Sequence, residues 1–265
     1  MVRGDNQKPK FGKHKKPVGP NKPISKKTNK IQTKTKNNNN VAVVKEEATT
    51  PSQHLSFFLN HFQSTNRIQL SSLELDSIQD SCIVELPQGL AQDASTLSEH
   101  IKTAFGQSWR HELCDKEILQ GKIEPGNPAL LVVSLSALRS LELYRGLKPF
   151  STECPVLKLF SKHIKVQDQV SSLKNRVNIA SGTPSRIKKL IDMEVLGLSR
   201  LQVIVLDMHT DVKGYSLLSL PQIRDEFWEL YKCYFHQRVV DGDLRICLYG
   251  PIPVIYKGKK NIIDK

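Results

Sequence analysis

Five short apolar runs follow one another between Ala129 and Tyr249: ALLVVS (129–134), PVLKLF (155–160), RVNIA (176–180), LQVIVLD (201–207) and LRICLY (244–249). They are apolar nearly throughout rather than alternating, so each needs cover on both faces. That is the demand of a parallel sheet held between helix layers. The stretches between the runs meet it. ALRSLELYRGL (137–147), HIKVQDQVSSLKN (163–175), PSRIKKLI (184–191) and PQIRDEFWELYKCYFHQR (221–238) read as helices, and Val166, Val170 and Leu173 recur at i, i+4 and i+7. The predicted class is α/β, a parallel sheet with flanking helices. In such a sheet, ligands meet the loops at the carboxyl ends of the strands.

Upstream, LSFFLNHF (55–62) and SSLEL (71–75) have helical patterns, and 97–114 reads as a helix broken near Gly106. This divides the chain into a tail and linker (1–50), a helical part packed on the domain (51–126), the α/β core (127–256) and a short basic tail (257–265).

The charge is uneven. Of 39 basic side chains, twelve lie in residues 1–40, against a single acid there, Asp5. The rest of the chain holds 27 basic and 25 acidic groups, so it is close to neutral although the whole chain carries +13. The first 40 residues have almost no apolar side chains to offset ordering entropy, and they read as disordered. A flexible polycation attracts polyphosphate by counterion release, with little sequence preference. The candidates in this tail are Lys13, Lys15, Lys16, Lys26 and Lys27, and Lys13, Lys15 and Lys16 also suit nuclear import.

The five cysteines (Cys82, Cys114, Cys154, Cys233, Cys247) form no C-x-x-C pair, which argues against structural zinc. No apolar run reaches membrane-spanning length, and the N-terminus lacks a signal-peptide core. The expectation is a reducing intracellular compartment, with no membrane, metal or cofactor.

Two loops invite closer reading. After RVNIA, Gly182 allows unusual backbone angles and close approach of a ligand. Thr183 can cap the next helix through its hydroxyl, and Pro184 suits its first position. Arg186, Lys188 and Lys189 add positive charge where a helix start offers free N–H groups. These residues read either as a well-capped helix start or as a phosphate contact. After LQVIVLD, the side chains of Asp207, His209 and Asp211 would share one face of an extended segment. A metal site there is the weaker reading beside a solvated loop.

In order and spacing, these two loops resemble the first RecA-like domain of DEAD-box RNA helicases. RVNIASGTPSRIKKLIDMEVLGLSRLQVIVLD (176–207) is similar to that family's Thr-Pro-Gly-Arg corner and its approach to the Asp-Glu-Ala-Asp box. The resemblance implies RNA contact at Gly182, Thr183, Pro184, Arg186, Lys188 and Lys189, with Ser185 replacing the family's glycine. The ATP parts depart from the family. No G-x-x-x-x-G-K-[ST] loop is present; Gly121-Lys122 is followed by Ile123 and has no glycine five residues before Gly121. Asp207 keeps the first box position, but Met208, His209 and Thr210 fill the rest, and a thioether cannot position water for phosphoryl transfer. Ser134-Leu135-Ser136-Ala137-Leu138 stands for Pro-Thr-Arg-Glu-Leu, and Tyr249-Gly250-Pro251 for Ser-Ala-Thr. With only residues 250–265 after the last strand, the expectation is a single RecA-like domain.

This combination resembles the Cms family, nucleolar proteins with one degenerate DEAD-like domain. SSLELDSIQDSCIVEL (71–86) and IKTAFGQSWRHELC (101–114) extend the similarity upstream. The resemblance implies a non-enzymatic ribosome biogenesis factor in the nucleus and nucleolus. Its implied partners are precursor ribosomal RNA and small-subunit processome proteins, with no nucleotide bound. A purely protein-binding adaptor and an ATP-dependent RNA enzyme stay open as alternatives. Exposure of Met208 and Leu135 would favour the adaptor.

Overall fold

All five apolar runs are strands of one parallel sheet in the computed structural model, which describes residues 50–114, 124–152 and 155–252. They are β1 (Leu130–Val133), β2 (Leu157–Leu159), β3 (Ile179–Gly182), β4 (Val203–Asp207) and β5 (Arg245–Tyr249), in the order β2-β3-β1-β4-β5. The tail expected to be disordered with its five candidate lysines, the Gly121-Lys122 pair and the 257–265 tail lie outside the described residues.

Register puts the strand ends level. Val133 lies opposite both Gly182 and Leu206, and Leu206 lies opposite Leu248. The following loops therefore leave from one edge. An isolated parallel bridge, Ile83 to Ile246, adds the upstream segment to the other side of β5.

The two faces follow the period of two expected of strands. Leu131, Val133, Ile204, Leu206, Ile246 and Leu248 belong to one apolar cluster. That cluster takes in α1 (Pro51–Asn66), α7 (Pro184–Asp192) and α8 (Pro221–Leu230). Leu130, Val132, Val203, Val205, Cys247 and Tyr249 belong to the second cluster, with α3 (Leu97–Phe105) and α5 (Ala137–Gly146). The remaining α-helices are α2 (Ser72–Ser77), α4 (Trp109–Leu113), α6 (Val166–Leu173) and α9 (His236–Val240).

Helix α1 starts four residues earlier than its apolar pattern predicts. Thr50 and Gln53 form a capping box and Pro51 takes the first position, so the start is set by capping rather than by core contacts. Its Phe58 and Phe62 meet the Trp228 ring at 5.1 and 5.4 Å and the Tyr231 ring at 5.1 and 5.3 Å. Each such buried aromatic contributes roughly 1.5–3 kcal/mol by area alone. The single helix expected over 221–238 is three pieces: α8, a π-turn at Tyr231–Phe235, then α9. Gly106, at φ 59°, ends α3 where the sequence marks a break.

Candidate functional site

The RVNIA strand runs on two residues past its predicted end, because Ser181 and Gly182 pair with β1 and β2. This changes the role of Gly182. It lies inside the sheet, outside the left-handed region, and a Cβ there would sit 2.2 Å from the Leu159 carbonyl oxygen. The glycine serves strand packing. Thr183 makes no side-chain cap. Its N–H donates to the Leu159 carbonyl at 3.1 Å and only 9% of its surface is exposed. Pro184 takes the first helical position, as read from the sequence, and is buried.

The basic residues of the corner have three different fates. Arg186 turns inward: its Nη1 donates to Gln169 Oε1 at 2.5 Å and to the Ile164 carbonyl at 3.3 Å. Lys188 pairs with Asp192 at 2.9 Å and Glu229 at 3.4 Å. The Asp192 hydrogen bond in particular holds the Lys188 ammonium charged well above the usual lysine range. Lys189 is exposed, and no ion pair involves it among the described residues. The structure adds two exposed cations that the sequence reading missed. Lys162 and Lys165 flank Ile164 on the loop after β2, beside Arg186. The signal for them was topological: β2 is the sheet neighbour of β3, so their loops share an edge.

Further along that edge, Asp207 closes β4 with no exposed surface. Arg139, from the first turn of α5, donates Nε to Oδ2 at 2.9 Å and Nη2 to Oδ1 at 3.0 Å. Its third branch meets Glu142 at 2.9 Å. His209 Nδ1 lies 2.8 Å from Asp207 Oδ1. A Cβ on Gly250 would come within 2.6 Å of that imidazole, so the glycine after β5 makes room for the ring. Both Asp207 oxygens are thus occupied at the strand end, while in the loop that follows Met208 is buried, His209 and Asp211 are half-buried and Thr210 is exposed. Asp211 is spent separately, accepting the N–H groups of Lys213 and Tyr215 at 2.9 Å each. Among the described residues, no group of three His, Cys, Asp or Glu side chains could hold a metal.

A third part of the edge carried no sequence alarm. The loop 87–96 joins the Ile83 bridge to α3. Asp93 Oδ1 accepts the N–H groups of Ser95 (2.7 Å) and Thr96 (3.2 Å) and the Ser95 hydroxyl (2.6 Å). Those bonds, the Ser95 hydroxyl foremost, hold the Asp93 carboxyl below the usual range. Tyr249 donates its hydroxyl to the Asp93 carbonyl at 2.7 Å, and Gly250 N–H donates to Gln92 Oε1 at 2.7 Å. The buried His100 holds the Ala91 carbonyl at 3.0 Å. A sequence clue existed: an Asp three residues before the Thr that precedes an amphipathic run.

Met208 and Leu135, whose exposure would favour an adaptor, are both buried.

Comparison with known proteins places this architecture. Residues 3–249 match the model of a family described as "CMS1: U3-containing 90S pre-ribosomal complex subunit". Protein CMSS1 of Xenopus laevis is 34% identical over 207 residues, covering 76% of this chain and 69% of the relative. Protein CMSS1 of Homo sapiens is 34% identical over 183 residues, covering 67% and 60%. Protein CMS1 of Chaetomium thermophilum is 34% identical over 171 residues, covering 60% and 63%, so the match spans less than two thirds of the human and fungal relatives. Similar solved structures include a DEAD box protein from Methanococcus jannaschii (TM-score 0.38, 15% identity, 74% of this chain and 47% of that one). The yeast DEAD-box splicing factor Prp28 is another (TM-score 0.37, 13% identity, 51% and 31%). The family match over nearly the whole α/β region decides the assignment: the chain belongs to the CMS1 family of U3-containing 90S pre-ribosomal complex subunits.

Proposed function

We propose that the chain is a non-enzymatic scaffold of the early small-subunit pre-ribosome, working in the nucleolus without nucleotide. It binds precursor ribosomal RNA through lysines and processome proteins through its folded surface. One observation carries this reading. The edge where an α/β sheet offers its ligand site is filled by the chain's own groups. Asp207 is held on both oxygens by Arg139, and the amides ahead of α3 already have Asp93 as their acceptor. A carboxylate so paired has no free oxygen for a metal-bound phosphate, and an amide so occupied cannot cradle one.

RNA contact then rests on cations that the fold leaves unspent. Lys162 and Lys165 are exposed on the loop that Arg186 ties to α7, Lys189 is exposed in the last turn of α7, and the lysines of residues 1–40 add sequence-independent attraction. Gly182, Thr183 and Pro184 shape the corner, Arg186 braces it, and Lys188 is shared with two acids.

The test is in-cell UV crosslinking with sequencing of bound RNA, on the full chain and on a version lacking residues 1–40. The reading expects reads on precursor ribosomal RNA that sharpen or persist without the tail. Loss of every read on tail removal would take the folded corner out of the RNA site.

A further inference from the structure

Helices α3, α4 and α5 and strand β2 build a face away from the Thr-Pro corner, and their charges do not balance. Each of their three acids is in an ion pair: Glu99 with Lys102 at 2.9 Å, Glu142 with Arg139 at 2.9 Å, and Glu112 with Arg200 at 3.6 Å. Arg110 in α4, Arg145 in α5, Lys148 in the turn after α5 and Lys158 in β2 have no ion pair among the described residues. Asp93 lies at the margin of this face, since a Cβ on Gly146 would run into the carbonyl of its neighbour Ala94. Its carboxylate is bonded to hydroxyl and amide donors and stays negative. Four unmatched cations less Asp93 leave three positive charges, 4 − 1 = 3.

Ring contacts bring these cations together. Lys102 Nζ and the Arg110 guanidinium each lie 5.1 Å from the centroid of the Trp109 ring. That ring meets Phe150 edge-on at 5.9 Å, and Phe150 ends the turn that Lys148 begins. Tyr144, one residue before Arg145, carries Lys158 Nζ 4.5 Å from its ring centroid. Trp109 and Tyr144 are both half-buried against the apolar cluster on this side of the sheet, so the rings form a fixed floor under cations from α3, α4 and β2. Lys162 follows Lys158 by four residues, about 13 Å along an extended chain. The cations of this face therefore continue to Lys162 and Lys165 on the loop beside Arg186.

The chemistry favours a polyanion. None of the large exposed apolar side chains comes from α4, β2 or the last turn of α5. The core of a protein interface is apolar and poor in charge, and this face is the opposite. A nucleic-acid backbone gains from every counterion that such cations release.

We infer that the face built by α3, α4, α5 and β2 is a second RNA contact, which holds the sugar-phosphate backbone beyond the corner. Its phosphate contacts are Arg110, Arg145, Lys148 and Lys158. This rests on the reading that the chain binds RNA, and it adds a surface that the corner and the tail do not supply.

The experiment measures binding of the purified full chain to a labelled uridine oligomer of about 40 nucleotides across a range of salt. Arg110→Gln, Arg145→Gln and Lys148→Gln are combined in one variant, since all three side chains are exposed. Each phosphate contact on a single strand adds about 0.7 to the logarithmic salt slope, so the slope should fall by about 2 and the low-salt affinity by about tenfold or more. The melting temperature should match the parent's. A control combines Lys174→Gln, Lys213→Gln and Lys232→Gln, which removes the same charge from exposed positions after α6, after β4 and in the π-turn. The control should keep the parent's slope. An unchanged slope in the first variant, or an equal loss in the control, would overturn the inference. So would unchanged RNA affinity with lost co-sedimentation with pre-ribosomal particles, which would assign the face to an acidic protein. A parent chain with no affinity for the oligomer would contradict the RNA reading itself, whereas a bound parent with an unaffected variant would remove this face alone.

Discussion

Arg139 and Asp207 are 68 residues apart in sequence and form a two-pronged ion pair at the end of β4. Removing one member of a buried pair costs roughly 3–5 kcal/mol, because the other charge is stranded. Arg139→Leu is therefore expected to destabilise the chain by about that much in urea denaturation. Adding Asp207→Leu should recover much of the loss; a cost below about 1 kcal/mol for the single change would show the pair to be unimportant. At the corner, Lys188 and Lys189 separate by function. Lys189→Glu should weaken RNA binding in a filter assay and leave the melting temperature unchanged. Lys188→Glu faces Asp192 and Glu229 and should lower the melting temperature. Equal RNA effects with no thermal difference would contradict this division. The sequence separates them in part, since Asp192 lies four residues after Lys188 on α7, but the second acid, Glu229, is brought by the packing of α7 against α8.

At the scale of elements, the strands were legible because their apolar content is continuous, and the helices because theirs is periodic. The end of β3 was not, because Ala180-Ser181-Gly182 carries no β-branched signal and its pairing comes from β1 and β2. Gly182→Ala should disrupt that packing at a cost of about 1–3 kcal/mol, measured without RNA present. An unchanged stability would return the glycine to the ligand-approach role. The π-turn inside the last long helix also left no mark in the apolar pattern. It brings His236 onto the Phe62 ring at 5.4 Å, with Nδ1 3.2 Å from the Tyr231 hydroxyl. Burial lowers the pKa of His236, against a small opposing pull from Glu74, and likewise lowers His54 and His61, the last also pushed down by Arg224. A base with a lowered folded pKa is kept neutral by folding, so the unfolded chain binds more protons as pH falls. Stability in this seam is full above about pH 6.5, the ordinary histidine value. It is lost as the pH drops through the folded values. Thermal melts at pH 7.5 and 5.5 should show the drop, and His236→Gln should reduce it.

For the molecule as a whole, the split between a basic tail and a near-neutral remainder was plain in the sequence, and so was the α/β class. The closed state of the edge was only half legible. The absent G-x-x-x-x-G-K-[ST] loop and the Met at position 208 mark the departure from the helicase pattern, but the groups that fill the space come from elements far apart in the chain. Arg139 arrives from the turn after β1, Gly250 from the end of β5, and Asp93 from a loop with no family motif. At this scale RNA affinity should be mainly ionic. The affinity of the full chain should fall linearly with salt on logarithmic axes, and removing residues 1–40 should flatten most of that slope. An unchanged slope would place the ionic contacts on the folded surface.

The central claim is that this fold works without nucleotide, and equilibrium titration of the purified full chain with labelled ATP, with and without RNA, tests it most directly. The account predicts no saturable binding in either condition, because Arg139 and Asp93 occupy the groups a phosphate or its metal would need. Saturable binding, above all if RNA strengthened it, would contradict the account.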